Sequence, residues 1–83
     1  MSKVFAKNLK AFRASAGLTQ DELARRTGVA RTAIANYESG RSEPTFEALC
    51  RLIGVLGVDA DQLLMEQDFG VPYIYTRQVT DDE

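Results

Sequence analysis

Apolar residues recur along most of the chain at the three- and four-residue spacing that lines one face of a helix. Val4, Phe5, Leu9, Phe12 and Ala16 form such a stripe, and Lys3, Lys7 and Lys10 fall off it. Gly17 stops that first helix. The second begins at Thr19-Gln20-Asp21-Glu22, the spacing of a capping box. There the threonine oxygen takes the backbone N–H three residues on, and the glutamate reaches back. Leu18 and Leu23 flank the cap as a hydrophobic staple. Arg25 and Arg26 close the helix where cations suit its dipole, and Gly28 ends it.

Only Gly28-Val29-Ala30 separates this helix from a third, and so short a link makes the two cross steeply. Val29, Ala33, Ile34 and Tyr37 form the inward stripe of the third, while Arg31, Thr32, Ala35 and Asn36 fall outside it. Ala30 has no side-chain acceptor, so packing has to hold that helix start. After Ser39-Gly40 and a loop to Pro44, Thr45 caps a fourth helix. Phe46, Leu49, Leu52, Ile53 and Leu56 are predicted inward on it. Gly57 ends it. Asp59, with Gln62 three residues on, caps a short fifth helix over about 60–66. From residue 67 the character changes. Val71 to Val79 is rich in aromatic and β-branched residues, and Pro72 excludes a central strand. The pattern therefore predicts an all-α fold. A compact five-helix bundle is expected over residues 1–66, followed by a C-terminal extension, 67–83, that has room for a short strand and is expected either to serve dimerisation or to be disordered.

Length and composition narrow the function. A chain of 83 residues makes one domain. At that size only about 60% of the unfolded surface is buried, so a dimer contact would help a thin core. Histidine is absent, which removes the commonest general base and metal ligand. Cys50 is alone, so neither an internal disulfide nor a cysteine zinc site can form. A single thiol fits a reducing, cytoplasmic setting. No two acids sit in an apolar context that would tune their pKa values. An enzyme has no site to rest on, and neither cofactor nor metal is expected. No apolar run approaches the about 20 residues of a membrane span, so no membrane partner is expected either.

Net charge is −2, but it is unevenly spread. Residues 1–41 carry eight lysines and arginines against three acids, a local +5; residues 42–83 carry two against nine, a local −7. One half can meet phosphates while the other is repelled, which would orient the chain on a polyanion. Charge segregation in a short chain carries little weight by itself. Arginine and asparagine are also the side chains that bond guanine and adenine edges bidentately. On residues 29–38 alone, a solvated helix face explains Arg31 and Asn36 better than base reading does.

The rest of the chain shifts that balance. The stretch from Thr19 to Arg41, with Leu9 and Phe12-Arg13 before it and Pro44-Thr45, Leu56-Gly57-Val58 and Leu63-Leu64 after it, resembles the phage repressor and Cro (XRE-type) helix-turn-helix family. The resemblance covers residues 4–65. It implies a five-helix bundle that binds double-stranded DNA, at palindromic operators, as a homodimer. The helix at 19–27 would position the protein and that at 30–39 would read bases. Arg31, Thr32 and Asn36 match base-reading positions. Gln20, Arg41, Ser42 and Thr45 match contacts to the DNA backbone. For Gln20 the physics agrees, because a helix N-terminus with free N–H groups favours an anion. Arg13 and Glu38 match a buried ion pair between the first and third helices.

Two departures stand out. Ala30 replaces the Ser or Thr common at that cap, and the segment after Met65 has no clear match. The resemblance puts the dimer contact at the fifth helix and beyond, with Leu64, Met65, Phe69, Tyr73 and Tyr75 as candidates. An intrachain core suits these aromatics equally well. The unmatched tail also leaves room for a protein partner, as in an antitoxin.

Overall fold

The computed structural model describes residues 2–67. They form five helices: α1 (Ser2–Ser15), α2 (Gln20–Thr27), α3 (Arg31–Glu38), α4 (Phe46–Leu56) and α5 (Ala60–Leu64). No strand occurs among the described residues. Phe69, Tyr73, Tyr75 and the strand expected near Pro72 lie outside them.

Every helix contributes to one core. Phe5 and Leu9 of α1, Leu23 of α2, Ile34 of α3, Leu52 of α4 and Leu63 of α5 are all essentially inaccessible to solvent. Burying each side chain is worth about 1.5–3 kcal/mol, which is the main force holding so small a bundle together. α1 lies against α3 and α5, and α2 lies against α3 and α4. The Phe5 and Tyr37 rings meet edge to face at 5.9 Å and pin α1 to α3.

The turn between α2 and α3 is held from several sides. At the start of α2 the capping box is complete: the Glu22 N–H donates to Thr19 Oγ1 at 3.0 Å, and the Thr19 N–H donates to Glu22 Oε1 at 2.8 Å. At its end the buried Thr27 hydroxyl donates to the Leu23 carbonyl (2.7 Å) and accepts the Val29 N–H (3.1 Å). Arg51 reaches across from α4 and donates to the Thr27 carbonyl at 3.1 Å. Gly28 follows in the left-handed region at φ 76°. A Cβ there would lie 2.7 Å from Arg51 Nη1, the tip of a flexible side chain that can shift, so it is the backbone conformation that calls for glycine. Ala30, as expected, makes no side-chain cap bond. α3 is seated by the burial of Ile34 and Tyr37 instead.

Two expectations fail. Phe46 does not face inward; it is 82% exposed. Burial on α4 centres on Ala48 and Leu52. At about 100° of rotation per residue, Phe46 stands about 200° from Ala48 and 240° from Leu52, on the far side of the helix. α5 is also shorter than predicted and ends at Leu64. The fully buried Asn8 of α1 donates its amide to the Leu63 carbonyl (2.9 Å) and to the Met65 carbonyl (2.7 Å). Those two carbonyls are thereby satisfied by a side chain rather than by another helical turn. Met65 is already extended at φ −106°, ψ 155°.

Candidate nucleic-acid interface

Burial of Ile34 and Tyr37 fixes which way the rest of α3 faces. Arg31 and Thr32 are exposed, and Asn36 is half-buried beside them on the outward side. The loop after α3 folds back onto it. The Asn36 carbonyl accepts the N–H of Arg41 at 2.9 Å and that of Ser42 at 3.4 Å. Arg41 and Ser42 therefore sit at the C-terminal end of the outward face, with Arg41 exposed. Thr45 caps α4 by accepting the Ala48 N–H at 3.1 Å. With Gly28, Val29 and Arg51 it lines an open hollow of about 250 Å³ beside the α2–α3 turn.

The two ends of α3 are each held by a neighbouring side chain of α2. At the C-terminal end, Glu38 accepts a forked pair of bonds from Arg13, Nε to Oε2 at 2.6 Å and Nη2 to Oε1 at 3.0 Å. The Arg13 and Glu38 side chains are only 15% and 5% exposed. The third guanidinium nitrogen donates to the Leu18 carbonyl at 2.7 Å. The hydrogen bond to Glu38 raises the Arg13 pKa above its ordinary value; burial opposes this and the glutamate's charge adds to it. Gln20 joins the same group, its amide donating to Glu38 Oε1 at 3.0 Å. The side chain matched to a phosphate contact is thus bonded within the protein. What remains there for an anion is its second amide N–H and the unpaired backbone N–H groups of the first turn.

At the N-terminal end, Arg31 Nε lies 2.7 Å from Asp21 Oδ1. The spacing along the chain did not point to Asp21, because these residues meet only through the crossing of α2 and α3. Asn8, Thr27 and Arg51 were missed as well. Of these, Asn8 left a legible sign: a polar residue standing on the stripe between Phe5 and Leu9. Glu22, next to Asp21, has its carboxyl held below the ordinary range, first by the Thr19 backbone N–H and then by the Thr19 side chain, with Arg25 and Arg26 assisting.

Among the described residues no group of His, Cys, Asp and Glu can hold a metal ion, and no helix is long and apolar enough to cross a membrane. The outward face offers a fork of donors, an amide, a hydroxyl and cations.

The Helix-turn-helix family model matches residues 9–63, well over half of the sequence. The chain belongs to the helix-turn-helix family. An SPβ prophage-derived uncharacterized HTH-type transcriptional regulator of Bacillus subtilis, YonR, is 38% identical over 61 residues, which is 74% of this chain and 56% of that protein. The crystal structure of the hypothetical transcription factor NHTF from Neisseria superposes with a TM-score of 0.71 at 31% identity, covering 94% of this chain and 83% of the other. The restriction-modification controller protein C.AhdI from Aeromonas hydrophila superposes at 0.72, covering 76% of this chain and 96% of the other; at 24% identity that likeness is one of fold. This helix-turn-helix chain is a DNA-binding regulatory domain and not an enzyme. It spans about half the length of the first two curated relatives it matches, 56% and 53%.

Proposed function

We propose that the protein is a transcriptional regulator that binds a palindromic operator as a homodimer, with α3 in the major groove. The observation that carries this is the outward face of α3. Its inward side is fully used by the core, and its other side presents Arg31, Thr32 and Asn36. In this reading Arg31 takes a guanine, Asn36 an adenine, and Thr32 a thymine methyl or a base edge. The first turn of α2 at Gln20, the loop at Arg41 and Ser42, and the α4 start at Thr45 meet the DNA backbone and set the register. Thr45 Oγ1 accepts within the protein, which leaves its hydroxyl hydrogen for a phosphate.

The dimer contact lies at α5 and the segment after it, so residues 1–66 bind DNA and 67–83 complete the pair. Met65, 60% exposed where the chain leaves α5, supports this placement. A two-fold pair would set its recognition helices one DNA turn apart. The test is selection of duplexes from a random pool, with sedimentation of the full chain alongside. Selected sites with two inverted half-sites and a dimeric mass are the expected result. Equal affinity for every duplex, or a monomer on a single half-site, would refute it.

A further inference from the structure

Gln20 and Asp21, consecutive on α2, reach opposite ends of α3: Gln20 holds Glu38 and Asp21 holds Arg31. Those ends are about 10 Å apart along the helix axis. The two contacts differ in kind. Gln20 feeds a buried group, whereas the Asp21 and Arg31 side chains are 64% and 58% exposed. An ion pair that open adds little to stability, so a contribution to folding does not account for it. Its position does suggest a role. It places a carboxylate on the outward side of the molecule, at the first turn of the helix proposed to read bases, beside residues assigned to the anionic DNA backbone.

We infer that Asp21 is a specificity-determining residue that restrains Arg31 so that its charge is used on a guanine edge and not on the DNA backbone. This rests on the DNA-reading role given to α3 above. The geometry supports it in two ways. Asp21 makes its closest contact with the guanidinium at Nε, 2.7 Å away, on the stem side of the two terminal nitrogens. Those terminal nitrogens are a pair that matches O6 and N7 of guanine, so the aspartate and the base can be satisfied together. A phosphate can meet the same fork, but its negative charge is repelled by the carboxylate at Nε, whereas the neutral base edge is much less so. On a site without guanine Arg31 stays with Asp21, and the protein gains no compensating backbone contact. Asp21 is itself a first-turn acid and suits the α2 dipole, a purely local role that the experiment must separate.

The probes are duplexes selected by the wild-type protein from a random pool, and the same duplexes with each guanine replaced in turn by adenine. Binding is titrated at several salt concentrations for wild type, Asp21→Asn, Arg31→Ala and the double variant. Asp21→Asn is expected to reduce the preference for one guanine by about fivefold or more. It is also expected to steepen the slope of log affinity against log salt by about one, as the released arginine takes a phosphate. In the Arg31→Ala background the same substitution should leave both quantities unchanged. An equal gain on all duplexes in both backgrounds would reduce Asp21 to bulk charge and overturn the inference, as would an unchanged preference. A wild-type protein that distinguishes no duplex would remove the base-reading role itself, and the inference with it.

Discussion

Arg13 and Glu38, 25 positions apart in sequence, meet through two parallel hydrogen bonds at 2.6 and 3.0 Å. The fork joins α1 to the last residue of α3, and Leu18 and Gln20 close around it. It therefore fixes how the outward helix is carried by the rest of the bundle.

Replacing Arg13 by Ala leaves a nearly buried carboxylate without its cation. The expected cost is about 3–5 kcal/mol, read as a lowered urea midpoint. Replacing both partners by Met removes both charges and should recover a large part of that loss. A midpoint for Arg13→Ala equal to wild type would show that the pair does not hold the helices.

Arg31 and Gln20 should fail differently on DNA. Arg31→Ala is expected to lose about 1–3 kcal/mol at a single base pair and to relax the preference there. Gln20→Ala is expected to weaken all duplexes alike, since a backbone contact carries no sequence information. Part of that loss arises inside the protein, because Glu38 forfeits a donor. Comparing the variant's urea midpoint with its DNA affinity separates the two contributions. A base-selective loss for Gln20→Ala would reverse its assigned role.

The Glu22 carboxyl is held below its ordinary value of 4.5 by hydrogen bonds from Thr19. The fold thus favours the ionised form. Its contribution is complete above pH 4.5 and is lost as the pH falls through the lower folded value. Wild-type stability should accordingly drop more steeply in acid than that of Glu22→Gln, with the two converging at low pH. Parallel curves of urea midpoint against pH would contradict this.

Asn8, a fully buried polar side chain, ties α1 to the end of α5. Asn8→Ala removes the side-chain donor from the buried Leu63 carbonyl, while the Met65 carbonyl keeps the Gln67 amide, and should cost about 1–3 kcal/mol. Amide exchange in α5 should accelerate before exchange in α2 or α3 does. Uniform acceleration across the bundle would mean that Asn8 acts on global stability rather than on that junction.

Much of this was readable from the chain because it depends on near neighbours. The Thr19–Glu22 box joins residues three apart, and Gly28 answers to its own φ. Phe46 was misread because the apolar pattern recognises size and ignores phase. Ala48, a small residue, carries the burial that a phenylalanine two positions earlier seemed to offer. Among the site residues, the exposure of Arg31 and Thr32 followed from the stripe on α3. The partners of Arg31 and Gln20 did not, since each bond crosses between helices.

Local spacing alone thus determined that five amphipathic helices would form, where α2 starts and stops, and which side of α3 would be left over once Ile34 and Tyr37 were buried. Such features depend on backbone geometry repeated over three or four residues. Only the tertiary structure decided that Asp21 faces Arg31, that Gln20 turns to Glu38, and that Asn8 ends α5. Those contacts depend on the angle and offset between packed helices, which are set by how whole side chains fill a shared core.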